Sequence, residues 1–393
     1  MALDASNSSR RYDLDRLRVC ALALLIFTHS LYVYRTDGWR VQSEQAGLWA
    51  DILISVIAPW RISVVFFIAG AATRFMLERH DFWSFVNNRA MRLFAPFMMA
   101  LVVLVPVMQY IAAPHSRGTG TYFDFLRGAG FHSHETFGFW LPDFGHVWFL
   151  LYAFVYALVA GLIWRLRRSA FRFADRVITA APVWAVVAVL SFCFVVADAV
   201  LEPIFPRTNM FVDDPAGHLR CIAPFILGLF LARPSAFWTR LKAARGWLIP
   251  LALSLFVLSI PLSLKLLLLS GQTKLALVLL EGTASGLYGA AMMFLILSFA
   301  SALPNRAGPA LGYFGDAIMP IYLMHQPVIV FVATALHGAG LPAWAEFGLV
   351  LGLAGGFPLL VYHFIIRPTP ALRIACGLKA TTARREPIAQ PSH

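Results

Sequence analysis

The chain has 393 residues, of which 59 % are hydrophobic and 13 % charged, and its mean hydropathy is +0.71. A soluble domain carries about a quarter charged residues, so this balance excludes a soluble globular protein and points to a polytopic membrane protein. The net charge of +12 comes without a basic tract patterned for nucleic acid, which sets that partner aside in favour of basic loops facing anionic membrane lipid.

Ten apolar runs have the roughly 20-residue length that crosses a bilayer. They cover 14–34, 52–77, 90–113, 142–164, 177–200, 218–233, 246–268, 275–299, 311–335 and 342–366. The sixth is short and the second long. Nothing alternates like a barrel strand, so the expected fold is all-α, a polytopic helical bundle. The expected organisation is one transmembrane domain over 1–375 and a polar, disordered tail over 376–393. No small-residue cleavage site follows "SLYVYR", so the first run reads as an uncleaved span. Four cysteines, Cys20, Cys193, Cys221 and Cys376, have neither disulfide-framework nor zinc-site spacing.

With the N-terminus inside, 23 of the 32 Lys and Arg fall in segments on the inner side. That excess follows the positive-inside rule and places both termini in the cytoplasm.

Polar residues in the spans need explaining, because an ionisable group in lipid is costly. In the first span, Asp15 and Arg18 sit at the cytoplasmic end, three apart on a helix. His29 lies 14 residues beyond Asp15, about 21 Å along the axis at about 1.5 Å per residue. Two readings are open for it: a hydrogen bond to a neighbouring helix, or chemistry. "NNRAMRLFAPF" opens the third span with Arg89 and Arg92 on one side of a helix. They serve either as an anchor or as a phosphate clamp.

The long outer connection that follows carries Phe123, Phe125, Phe131, Phe137, Phe139 and Trp140 among glycines. Long ordered loops tend to be functional. His132 and His134 in it make a poor metal site without a carboxylate or cysteine set, and no metal is expected. "DFGHVWFL" places His146 and Trp148 at the outer interface, where they could meet a ligand. Glu281 lies in the outer half of the eighth span, near small residues that permit close helix approach, and pairs with a histidine or with Lys274. In the ninth span Pro320 and Pro327 break the ladder around His325 and Gln326, which can open backbone groups toward a cavity.

Together, "YDLDRLRVCALALLIFTH", "NRAMRLFAPF", "HVWFL" and "IYLMHQPVIV" resemble the membrane acyltransferase family 3, in order and over about residues 10–370. Within it the chain is most similar to the branch linked to succinylation of periplasmic glucans. The resemblance implies a bacterial inner-membrane enzyme that moves an acetyl or succinyl group from cytoplasmic acyl-CoA to an extracytoplasmic carbohydrate hydroxyl. It implies no permanently bound cofactor, acyl-CoA being the donor substrate. The family's D-x-x-R falls on Asp15 and Arg18, its first-span histidine on His29 and its Arg-x-x-Arg on Arg89 and Arg92. Val19 stands where a glycine is common.

On that reading Arg89, Arg92, Arg18 and Asp15 serve the donor. His29 is the expected general base, because a neutral imidazole can take a hydroxyl proton near the working pH. An acyl-histidine step is a second route. Glu281 would orient the base, and His325 or Gln326 would polarise the thioester carbonyl. His146, Trp148 and Trp140 are the expected acceptor contacts. The alternative from another class is a secondary transporter of a glycan or anionic precursor, which also needs intramembrane polar residues and broken helices.

Overall fold

A computed structural model describes residues 11–113, 121–128, 134–136, 139–141, 143–233, 235–268, 274–306 and 308–381. The fold is an all-α polytopic bundle. Among the described residues, nine helices are long and apolar enough to cross a membrane. In chain order the long helices are α1 (Tyr12–Leu31), α2 (Leu48–Arg79), α3 (Phe82–Ala112), α4 (Trp148–Leu166), α5 (Val183–Leu201), α6 (Pro215–Leu231), α7 (Arg245–Leu268), α8 (Lys274–Ala300), α9 (Pro309–Leu336) and α10 (Ala343–Ile366). As expected, α6 is short, with 17 residues, and α2 long, with 32. A short hairpin, His134–Thr136 paired antiparallel with Phe139–Leu141, lies in the connection after α3.

Local chemistry sets several helix ends. Asp81 caps α3, accepting from the Trp83 and Ser84 amides at 3.0 and 3.1 Å. Asp214 caps α6 through the Gly217 amide at 3.0 Å. Both satisfy first-turn N–H groups that have no helical acceptor.

Lipid is as apolar as leucine, so the helices associate by close packing rather than by the hydrophobic effect. Phe192 and Trp184 accordingly remain exposed. The tightest crossing joins α2 and α6. A Cβ on Gly70 would stand 1.9 Å from the Phe225 carbonyl oxygen, and one on Gly228 would stand 1.9 Å from that of Phe67. Only reciprocal glycines let these backbones touch.

Helix α1 runs between two packed regions. Leu14 and Leu17 pack with α2, α5 and α8, whereas Ile26 and Leu31 pack with α3, α9 and α10. One end of the bundle gathers the basic segments: Tyr12 N–H donates to Asn305 at 2.7 Å, Arg74 pairs with Asp175 at 2.6 Å, and Arg233 pairs with Glu78 at 2.8 Å. At the opposite end Ser43 donates to Glu346 at 3.0 Å, and Arg40 pairs with Asp143. Within the expected tail, the described part differs from a loose segment. Cys376 is buried in the core around α3 and α9, and Gly377 (φ +71°) approaches the Arg92 carbonyl. Residues 382–393 lie outside the described residues.

Candidate active site

The site begins with a proline. Pro327 in α9 has no N–H, so the Leu323 carbonyl four residues earlier loses its helical donor. His146 supplies a replacement: its Nε2 lies 2.9 Å from Leu323 O. A carbonyl only accepts, so Nε2 carries the proton, and Nδ1 of the neutral ring is bare. That Nδ1 is buried and has no partner among the described residues. The Tyr322 hydroxyl donates to the His146 carbonyl at 2.6 Å, tying α9 to the start of α4.

The same logic fixes the next two rings. His325 Nδ1 lies 2.6 Å from Tyr322 O and must donate to it. The neutral His325 therefore presents a bare Nε2, which stands 2.8 Å from His29 Nδ1. His29 donates there, and its own Nε2 is left as a free lone pair. The His29 and His325 rings stack at 5.1 Å, and His146 meets His325 edge-on at 5.3 Å. His325 is fully buried, whereas His29 is only half-buried, so its free nitrogen is the accessible member of the chain.

Polar groups just before α4 hold His146 in place. Asp143 Oδ1 accepts from the Gly145 amide at 2.8 Å, and its other oxygen takes Arg40 and Gln109. Burial pushes the Asp143 carboxyl up, but the Arg40 guanidinium and these hydrogen bonds outweigh it and hold the group below its ordinary range. Gly145 adopts φ +55°, and a Cβ there would press on Val105 at 3.2 Å. The turn that delivers His146 therefore requires glycine.

At the basic end the arginine pair differs from the expected clamp. Arg89 is buried, 6 % exposed, while Arg92 is exposed. The reason is local: a π-helical turn spans Ala90–Phe94. Its wider winding rotates the chain less per residue, so side chains three apart diverge instead of sharing a face. Arg89 lies 5.7 Å from the Phe85 ring centroid, and its Nε and Nη2 have no partner among the described residues. Arg18 and Arg92 stand close enough for their charges to act on it, and Asp15 acts on Arg18. These four expected donor residues therefore do gather, as a cluster rather than a fork.

Other expected residues lie elsewhere. His146 is not at the surface but 5 % exposed, beside His325. Trp148 packs edge-on against Tyr152 at 5.0 Å and near Phe66, inside the bundle. Trp140 lies on the second hairpin strand opposite Glu135, and His134 is on the first. His132 is outside the described residues. Glu281 does not reach the histidines. It accepts from Ser263 at 2.8 Å, near the group formed by Asp198, Arg207 and Arg220.

Arg61 is missing from the sequence-level candidates. It lies on α2, 9 % exposed, with Nη2 at 3.2 Å from the Tyr32 hydroxyl. "APWRISVVFF" carried the signal, a guanidinium inside an apolar run.

The described helices thus form a membrane bundle with a hydrogen-bonded histidine pair inside it. The chain belongs to an acyltransferase family: the model described as an acyltransferase domain, Acyl_transf_3, matches residues 11–363. It is thus a multi-pass membrane acyltransferase, as the motifs implied. It is 23 % identical over 389 residues to glucans biosynthesis protein C of Escherichia coli strain K12, covering 96 % of this chain and 97 % of that protein. The same figures hold for the protein of that name in Escherichia coli O157:H7 strain EC4115. No solved structure matches the chain.

Proposed function

We propose that the protein is an O-acyltransferase of the bacterial inner membrane. It moves an acetyl or succinyl group from cytoplasmic acyl-CoA to a hydroxyl of an extracytoplasmic carbohydrate such as a periplasmic glucan. The observation that carries this reading is the free Nε2 of His29, set by the hydrogen bond to His325.

A sugar hydroxyl is a poor nucleophile at neutral pH. As its oxygen attacks the thioester carbonyl carbon, His29 Nε2 takes the proton. Collapse of the tetrahedral adduct breaks the carbon–sulfur bond. The departing thiolate takes the proton back from His29, so the base is regenerated and no atom is left over. The positive charge that His29 holds meanwhile is shared toward His325 Nε2.

The donor's phosphates fit the basic end, where Arg89 keeps two unused N–H groups beside Arg92 and Arg18. The excess of Lys and Arg at that end supports its being cytoplasmic, with both termini there. The relatives named for glucan biosynthesis support a glucan-like acceptor. Acceptor contacts are assigned to His146, whose Nδ1 is buried without a partner among the described residues, and to Trp148 and Trp140.

Mass spectrometry of periplasmic and envelope glycans tests the proposal. Cells with the protein carry acyl esters, added masses of acetyl or succinyl, that cells without it lack. Identical glycans in both contradict it.

A further inference from the structure

Six arginines are buried in the described structure. Four have a carboxylate: Arg11 with Asp13 at 2.6 Å, Arg74 with Asp175 at 2.6 Å, Arg220 with Asp198 at 3.0 Å and Arg373 with Asp316 at 3.1 Å. The other two, Arg61 and Arg89, have none and keep unpaired N–H groups. Arg89 already has an anion assigned by the reading above. Arg61 does not.

A buried guanidinium with no carboxylate is among the costliest groups a membrane protein can hold. Arg61 has one protein hydrogen bond, to the Tyr32 hydroxyl at 3.2 Å, and its Nε and Nη1 have no partner among the described residues. Tyr32 is three residues from His29 on the same helical stretch, and their rings lie 5.4 Å apart. Arg61 is near enough for its charge to act on both His29 and His325. The unpaired donors therefore belong to a guanidinium that shares Tyr32 with the base: its Cζ lies 5.8 Å from the Tyr32 ring centroid, and that ring lies 5.4 Å from the His29 ring.

We infer that Arg61 is a further catalytic residue, the electrophile that receives the negative charge developing on the acyl carbonyl oxygen. The inference rests on the acyl-CoA reading above. When the hydroxyl oxygen bonds to the thioester carbon, the carbonyl π pair moves onto oxygen. Nε–H and Nη1–H of Arg61 donate to that oxyanion, and the pair returns when the thiolate leaves. Donors already in place and dry stabilise such charge far more than water does. A neutral carbonyl gains less, so the stabilisation is specific to the transition state.

The test uses the purified full-length protein, acetyl-CoA and succinyl-CoA as alternative donors, and a gluco-oligosaccharide as acceptor. Arg61→Met should lower kcat by about 10²- to 10³-fold, the usual loss for an oxyanion donor, with either donor, while KM for the donor changes little. Arg61→Lys should recover only part, because it keeps the charge but loses the paired N–H geometry. If Arg61→Met does not accumulate, Arg61→Lys carries the test through the same kcat-against-KM split. Wild-type kcat in either variant, or a rise in KM with kcat unchanged, overturns the inference. Loss confined to succinyl-CoA also overturns it, assigning Arg61 to the acyl carboxylate instead. Wild-type protein that transfers neither group contradicts the acyl-CoA reading itself, and this inference with it.

Discussion

His29 Nδ1 and His325 Nε2 lie 2.8 Å apart, and the proton between them belongs to His29 because His325 spends its own on the Tyr322 carbonyl. His325 is thereby an orienting acceptor. Replacing it by Gln places an amide oxygen near the position of Nε2, whereas Leu leaves the His29 N–H without a partner. His325→Leu should lower acyl transfer by about ten-fold or more, equivalent to about 1.4 kcal/mol, and His325→Gln by clearly less. Rates from the two variants, normalised to folded protein, check this. Equal losses would mean that His325 acts by something other than accepting this hydrogen bond.

The unequal burial of the arginine pair gives a second expectation. Arg89→Ala removes a buried guanidinium and should weaken acyl-CoA binding about ten-fold or more, the cost of a lost charge-assisted contact of about 1.5–3 kcal/mol. Arg92→Ala removes an exposed charge and should cost less, with an effect that shrinks further as salt rises. Isothermal titration at two ionic strengths separates them. Normal binding in Arg89→Ala would leave that residue as a membrane anchor only.

The Arg40–Asp143 tie makes a pH-dependent contribution. The Asp143 carboxyl titrates lower in the folded protein than in the unfolded chain. Its stabilisation is therefore complete above the unfolded value of about 3.9 and is lost as pH falls through the lower folded value. Asp143→Asn should lower the thermal midpoint in detergent by an amount that stays constant from about pH 7 to pH 5 and shrinks below about pH 4. The pair is partly exposed, so the effect should be about 1 kcal/mol or less. A difference that grows on acidification would contradict the assignment.

The spans were legible because lipid imposes a long, nearly charge-free run on each helix, and nothing in a single run had to be weighed against its neighbours. His29 and His325 were legible for the same reason, as polar rings in such runs. Their mutual hydrogen bond was not, since it joins residues 296 positions apart. His146 read as interfacial because it opens a span. The Leu323 carbonyl freed by Pro327, on another helix, draws it inward. Arg89 and Arg92 read as one clamp because helical spacing assumes an α-helix, and the π-helical turn at Ala90–Phe94 has no evident mark in the sequence. The Gly70–Gly228 crossing also needed the partner helix to become visible.

In the proposed reaction the free Nε2 of His29 takes the acceptor's proton. The most direct measurement is transfer of a labelled acyl group from acyl-CoA to a gluco-oligosaccharide by purified protein, comparing wild type with His29→Asn. Asn keeps an N–H near the position of Nδ1 for His325 but has no group at Nε2 that can carry a proton. Acyl-CoA binding should be unchanged, and transfer should fall by about 10²-fold or more. Transfer at the wild-type rate by His29→Asn would contradict it.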